Sequence, residues 1–460
     1  MYHRLPPPIR DAAATVQGWR LRSWRFGPET DRLVAEALER DRWGPAQWDT
    51  WRAERVAQLL HRAATRVPYY RALWAERRRR GDRASWDVLE HWPVLSKDAL
   101  RATPEAFVAD DADRRRLFRV HTSGTSGTPL TLWRPRESGR AWYALMEARM
   151  RAWHGVSRHE PWAVLGGQVV VAPDARRPPF WVWNAAGHQL YLSANHVSAA
   201  HAPAYREALA ARRVTHLVTY ASSAAALGAA FTAAGLAAPG LRVIFTNAEP
   251  VSPDQRATIA RGLGAPVRET YGMVETVAGA SECEHGRLHL WPDVGLVELL
   301  DDTGRQAVHS GQVGQVVATG LLNPDMPLIR YAVGDRMRLA AAGAACACGR
   351  SLPVIDAIEG RTNDLLRAPD GRLVFWLNPV FYGLPLREAQ IVQETLTELR
   401  VRFVPSDGYT EGTLDEVRGR LRDRMGDVEV RFEQVDSIPR GPNGKFRAVE
   451  CRVQATPTAA

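Results

Sequence analysis

Lysine is almost absent from this 460-residue chain. Of its 60 Lys and Arg residues only Lys97 and Lys445 are lysine. Arginine is a rigid planar fork and lysine a compact, mobile point charge, so a chain that otherwise uses arginine for positive charge draws attention to the two places where it does not. Cysteine is scarce as well, with four residues, which excludes a disulfide framework. Together with a start, Met-Tyr-His-Arg-Leu-Pro-Pro-Pro, that has no apolar signal segment, it predicts a cytoplasmic protein with thiol or metal chemistry. Long apolar runs are lacking too. The one extended uncharged span, 214–240, is rich in Ala and interspersed with Ser, Thr and Gly; it is too weakly apolar to span a membrane and reads as a buried amphipathic helix. The net charge of +9 comes with no recognised nucleic-acid module. The densest basic runs, 77–80 and 114–116, each follow an acid, Glu76 and Asp113. The basicity therefore reads as an arginine-rich surface with attraction for small anions.

What the chain does have is a loop of hydroxyls and glycines: Thr122, Ser123, Gly124, Thr125, Ser126, Gly127 and Thr128, preceded by His121 and followed by Pro129-Leu130. Glycine reaches conformations that let successive N–H groups converge on an anion, and hydroxyls add rotatable donors. Such a loop suits a polyphosphate. It is not a Walker A loop, because no Gly-Lys-Ser/Thr follows. Lys445 stands in a second turn-rich segment, Ile438-Pro-Arg-Gly-Pro-Asn-Gly-Lys-Phe-Arg447, which presents a side chain at a tip.

Length predicts two or three domains. Residues 30–100 read as helical, with Ser96 capping a helix at Lys97. A helix is expected from Glu137 to Trp153. From 160 to 250 short apolar runs (162–165, 216–220, 241–246) alternate with Ala-rich helices, the pattern of a layered α/β domain. Residues 285–340 turn mostly to β (288–290, 294–300, 314–319, 337–339). Beyond about 362 a smaller unit shows a strand near Val401, a helix at 414–425 and a strand at 428–432. The expected architecture is α/β: a large multi-layer α/β domain (1–360) with a β-rich subdomain, a hinge at 361–364, and a small mobile α+β domain (365–460) that carries Lys445.

Further stretches complete a pattern. Glu269-Thr-Tyr271-Gly272-Met-Val274-Glu275-Thr276 ends a strand with an aromatic, a glycine and a carboxylate. Tyr331-Ala-Val-Gly-Asp335 places a carboxylate after a tight turn. Glu359-Gly-Arg361-Thr-Asn363-Asp364 supplies an arginine and hinge candidates. In this order the motifs resemble the adenylate-forming superfamily of acyl-CoA ligases, luciferases and nonribosomal adenylation domains. The resemblance is strongest to the phenylacetate–CoA ligase family and its capsular-polysaccharide branch, whose helical N-terminal region Val67-Pro-Tyr-Tyr-Arg71 also resembles. The resemblance implies ATP, Mg²⁺ and coenzyme A as ligands. It implies that residues 122–128 hold the β- and γ-phosphates, Tyr271 and Gly272 meet adenine, and Asn247, Ala248 and Glu249 line the adenine pocket. Glu275 would meet Mg²⁺, Asp335 both ribose hydroxyls and Arg361 the ribose or phosphate, while Lys445 acts as the catalytic cation beside the substrate carboxylate and α-phosphate. The implied reaction turns ATP and a carboxylic acid into an acyl-adenylate and pyrophosphate, then passes the acyl group to the thiol of CoA. An amine, a sugar or a carrier protein is the alternative acceptor. A non-catalytic, nucleic-acid-binding protein is the reading from another class; it predicts salt-sensitive DNA binding. One departure stands out. The superfamily has Ser or Thr where this chain has Val274, and Thr276 substitutes only if the segment stays extended.

Two readings stay open. Trp153, Trp162, Trp181, Trp183 and Tyr191 either line an acid pocket suited to an aromatic substrate or fill the core. Cys283, His285, Cys346 and Cys348 either bind a structural zinc, remain reduced, or form a redox pair. In this reading His289 is a surface or strand histidine and Cys451 a leftover thiol.

Overall fold

The computed structural model describes residues 2, 5–122, 130–166, 168–172, 175–301, 303–304, 307–309, 311–341, 344–361, 366–370, 373–374, 377–381, 383–440 and 446–453. Residues 123–128, Lys445 and the hinge residues Thr362, Asn363 and Asp364 lie outside them, and of Arg361 only the backbone is described.

The alternation of apolar runs and Ala-rich helices between 160 and 265 becomes a parallel sheet. Trp162–Gly166 pairs in parallel with Gln189–Ser193 and His216–Tyr220, which is followed by Val243–Asn247 and Val267–Gly272. Helices Ala202–Ala211, Ala221–Ala233 and Pro253–Leu263 make the crossovers. Pro253–Leu263 shows how locally these are specified. Ser252 accepts from the Gln255 N–H while the Gln255 side chain accepts from the Ser252 N–H, Pro253 opens the helix, and Gly264 ends it at φ 67°. The central strands are buried on both faces, as parallel sheets require.

The β-rich stretch does not form a separate sheet. It continues the same twelve-stranded one, in the order Gly295–Leu300, Val313–Gly320, Tyr331–Leu339, Val354–Arg361, Leu288–Leu290, Gly279–Glu282, Val267–Gly272, Val243–Asn247, His216–Tyr220, Trp162–Gly166, Gln189–Ser193, Trp181–Asn184. Val267–Gly272 is the junction: parallel to Val243–Asn247 on one side, antiparallel to Gly279–Glu282 on the other. At the far edge, helix Pro7–Arg25 turns polar residues inward. Asp11 accepts from the Trp183 N–H (2.9 Å) and Thr15 from the Ala185 N–H (3.1 Å), so backbone donors at the edge strand are capped.

Two expectations are corrected. The helix expected over 137–153 is Arg136–Leu145, followed by a π-helical turn, Met146–Arg151, and a short 3₁₀ turn to His154. Arg149 in that turn is fully buried, bonded to Asp41 (2.7 Å) and Asp293, and so ties the N-terminal helices to the sheet. Burying such charges is tolerable only because each is paired. Asp335 does not follow a tight turn but lies inside the nine-residue strand Tyr331–Leu339, whose register shifts as Gly334 takes φ 82°.

The C-terminal unit has its own four-stranded sheet, in the order Glu429–Gln434, Glu398–Pro405, Leu386–Gln393, Val449–Cys451. Helix Glu411–Met425 packs Val417, Leu421 and Met425 on Ile391, Leu399 and Val401. This core shares no residue with those of the large body.

Candidate active site

Ligands of open α/β sheets sit beyond the carboxyl ends of the parallel strands. Here those ends carry Asn247, Tyr271 and Gly272. Tyr271, on the junction strand, donates its hydroxyl to Asp335 Oδ2 at 2.7 Å, although three strands separate the two in the sheet order. The sheet therefore curls and brings an aromatic ring and a carboxylate together from opposite halves. Asp335 also stands opposite Arg361 in the register of the next strand. Gly272 is closely packed: a Cβ there would lie 3.0 Å from the Trp142 ring, tighter than ordinary contact.

Beyond Gly272 the chain turns. Glu275 accepts a hydrogen bond from the buried Tyr331 hydroxyl (2.9 Å). Val274 is exposed, whereas Thr276 is buried at φ 50°. The segment is a turn rather than extended, so Thr276 does not take over from Val274 the face where a hydroxyl was expected. Left-handed backbone at non-glycine residues costs roughly 1–3 kcal/mol and persists where surroundings enforce it. Among the described residues it occurs at His188, Arg213, Ala248, Thr276 and Arg330, and the last three lie inside or next to the motifs quoted above.

The hydroxyl-rich loop connects the two strands of an antiparallel hairpin, Leu117–His121 and Thr131–Pro135. Thr122 closes its base: its N–H donates to the Leu130 carbonyl (3.1 Å) and its hydroxyl accepts from the Leu130 N–H (2.9 Å). The buried Arg134 of the same hairpin donates to the Val274 carbonyl. One bond thus fixes the root of the loop beside Glu275. Lys97, the second lysine of the chain, opens helix Lys97–Ala102, capped by Ser96 as expected (3.2 Å). Two residues before it, Leu95 bridges Tyr331.

Asn247 and Glu249 are half-buried and Ala248 is exposed. Glu249 Oε2 accepts from the Ser222 N–H (2.9 Å) and Oε1 from the Phe446 N–H (3.0 Å). Phe446 belongs to the C-terminal unit and is the residue after Lys445.

Cys283, Cys346 and Cys348 come together, and the fourth member is His289, not His285: the four ligand atoms lie within 4.8 Å of one another. His285 is exposed in the turn between strands, whereas His289 is fully buried on Leu288–Leu290. A Cys-x-His pair on a tight turn points its ends apart; the hairpin register instead carries the second histidine back. The Leu352 carbonyl only accepts, so His289 Nδ1 carries the proton (3.1 Å). Nε2 then faces Cys348 Sγ at 3.5 Å, and burial lowers the imidazole pKa. The cluster suits the donor spacing of zinc. A tetrahedron with Zn–S near 2.3 Å and Zn–N near 2.0–2.1 Å has S···S edges of about 3.8 Å and S···N edges of about 3.6 Å. Cys283 and Cys346 lie 3.7 Å apart.

The five aromatics do not form one pocket. Trp153 belongs to the cysteine cluster and donates to Asp41 (2.8 Å). Trp181 and Trp183 pack on the helical layer with Leu209 and Tyr205. Trp162 begins its strand, away from the carboxyl end, and stacks on His216. Tyr191 pairs with Val182, between the two tryptophans of that strand, and so points to the opposite face from them. Arg134 and the contact of Tyr331 were missed from sequence. The signal for Arg134 was its inward position in the alternating strand Thr131–Pro135.

The C-terminal stretch 370–451 matches the family model of the CapK C-terminal domain. Protein CapK of Staphylococcus aureus is 24% identical over 370 residues, 77% of this chain and 78% of that protein. The phenylacetate–coenzyme A ligase of Thermus thermophilus is 28% identical over 364 residues, 74% of each chain. The chain is a homologue of CapK and of phenylacetate–CoA ligases. Its fold is that of the adenylate-forming CoA ligases: 2-hydroxyisobutyryl-CoA ligase, solved in the postadenylation state with R3-HIB-AMP, superposes with a TM-score of 0.67 at 20% identity, covering 90% of this chain and 91% of that one. No helix among the described residues is long and apolar enough to cross a membrane.

Glu269, two residues before Tyr271, carries the pH dependence of the junction strand. Burial, then the neighbouring Glu282, pushes its pKa up to about 7, with Arg256 opposing. The folded state then holds a proton that the unfolded state releases from pH 4.5 upward, so stability falls as pH rises from about 4.5 to 7. Glu269→Gln is expected to raise the thermal midpoint at pH 8 and leave it nearly unchanged at pH 5, read by calorimetry.

Proposed function

We propose that this protein is an AMP-forming carboxylic acid–CoA ligase. The observation that carries the reading is the Tyr271–Asp335 pair, in which the phenol hydroxyl at the carboxyl end of the junction strand donates to the carboxylate at 2.7 Å and brings ring and carboxylate side by side. The ring suits a base. The carboxylate accepts from two ribose hydroxyls, as only acceptor oxygens can. The loop at 123–128, rooted beside Glu275 by Arg134, receives the phosphates. Glu275, held by Tyr331, offers a hard oxygen to Mg²⁺, whose charge would offset that of the phosphates.

The chemistry follows from that placement. A substrate carboxylate oxygen attacks the α-phosphorus, the bond to the bridging oxygen breaks, and pyrophosphate leaves. Lys445 stabilises the charge that grows in this step, and orientation supplies much of the rest. The thiol of CoA then loses its proton and attacks the acyl carbon, and AMP leaves. The large body 1–360, the hinge 361–364 and the cap 365–460 are the units that move between the steps. In a second reading the adenylate forms in the same way and an amine, a sugar or a carrier protein takes the acyl group. Hydroxylamine trapping with and without CoA separates the two; transfer to an amine sugar without CoA discards the first.

Lys445→Arg is expected to keep the thermal midpoint and slow ATP–pyrophosphate exchange by about 10²–10³-fold, the scale of one lost oxyanion donor. Exchange near the wild-type rate would remove the lysine from the mechanism.

The cysteine cluster we assign to structural zinc. All four positions are filled by protein, so the metal would stabilise the fold and take no part in the reaction. Metal analysis of protein purified without chelator should give close to one zinc per chain, lost in His289→Ala and kept in His285→Ala. Retention of zinc by the His289 variant would reject the assignment.

A further inference from the structure

Among the described residues, two hydrogen bonds join the small C-terminal unit to the large body at neighbouring points. Phe446 donates its N–H to Glu249 Oε1 (3.0 Å), and Gly383 donates its N–H to Asp254 Oδ2 (3.0 Å). Glu249 lies two residues after strand Val243–Asn247, and Asp254 in the first turn of helix Pro253–Leu263. The other oxygen of Glu249 accepts from Ser222 in the first turn of helix Ala221–Ala233 (2.9 Å), where free N–H groups and the helix dipole favour an anion. One carboxylate thus bridges a fixed helix of the body and the residue that follows Lys445. Ala248, beside it, is held at φ 62°, so the backbone that aims this carboxylate is itself constrained.

On the cap side Phe446 is equally anchored. The Arg440 guanidinium lies 4.7 Å from the centre of its ring and is paired with Glu388 on the cap sheet (2.6 Å). Phe446 therefore moves with the cap and not by itself. Consecutive Cα atoms are about 3.8 Å apart, so fixing Phe446 confines the Cα of Lys445 to one residue length from the bridge. Resting on the ligase reading above, we propose that Glu249 is a positioning residue: its carboxylate latches the cap in the orientation used for adenylation and lets go when the cap turns for acyl transfer. Bonds from an N–H to an ionised carboxylate are stronger than neutral ones, yet a single such bond is weak enough to break in each turnover.

The test compares wild type, Glu249→Ala and Glu249→Gln, using the acid that gives the fastest wild-type pyrophosphate exchange. Pyrophosphate release reads adenylation. Thioester formation from chemically prepared acyl-adenylate reads transfer alone. Hydrogen exchange at the Phe446 amide, read from peptides that begin at or before residue 444, reports the latch without any need for activity. Glu249→Ala should slow pyrophosphate release by about 10–100-fold, the cost of a small misplacement, while transfer falls much less and the Phe446 amide loses its protection. Glu249→Gln keeps one acceptor oxygen for two N–H donors and should fall between. Equal losses in both half-reactions would point to nucleotide binding or folding and overturn the proposal, as would unchanged amide protection. If wild type releases no pyrophosphate with any acid, the ligase reading fails, and the exchange data still decide the latch.

Discussion

The arrangement rests on one strand that is paired in two senses. Val267–Gly272 runs parallel to Val243–Asn247 and antiparallel to Gly279–Glu282. A parallel strand needs crossover helices, and an antiparallel one needs only a turn. The junction therefore sets helical layers on one side and hairpins on the other. Because the antiparallel half curls, Asp335 returns to within 2.7 Å of Tyr271. A shift of one residue in that register would turn Tyr271 and Glu269 to the opposite face and separate the pair.

Across the large body the recurring device is a charged side chain that holds backbone. Arg134 holds the carbonyl of Val274, Glu249 holds the N–H groups of Ser222 and Phe446, and Asp11 holds that of Trp183. These bonds connect segments far apart in sequence at points where no ladder runs. Arginine suits the carbonyl side of this work, with five donors in a fixed fork.

Much of this was legible in the sequence. The alternation of Ala-rich helices with short apolar runs pointed to a layered α/β domain, and the order of the motifs to the fold. Ser96 and Ser252 begin their helices as their residue types demand. What stayed hidden depends on register. His289 and His285 are indistinguishable by composition; a hairpin decides which one faces Cys346 and Cys348. Asp335 read as the end of a turn because a glycine precedes it, and the structure uses that glycine for a bulge within a long strand. The aromatics looked clustered because they are close in sequence, yet strand alternation sends Trp181 and Trp183 to one face and Tyr191 to the other. The Phe446–Glu249 contact spans 197 residues, beyond the reach of any local pattern.

The central claim is that adenine lies on the junction strand. Photolabelling with 8-azido-ATP, followed by mass mapping of the modified peptide, tests it most directly. Label within residues 267–276, abolished by excess ATP, is the expected result. Label confined to peptides remote from that strand, or insensitive to ATP, would contradict the account.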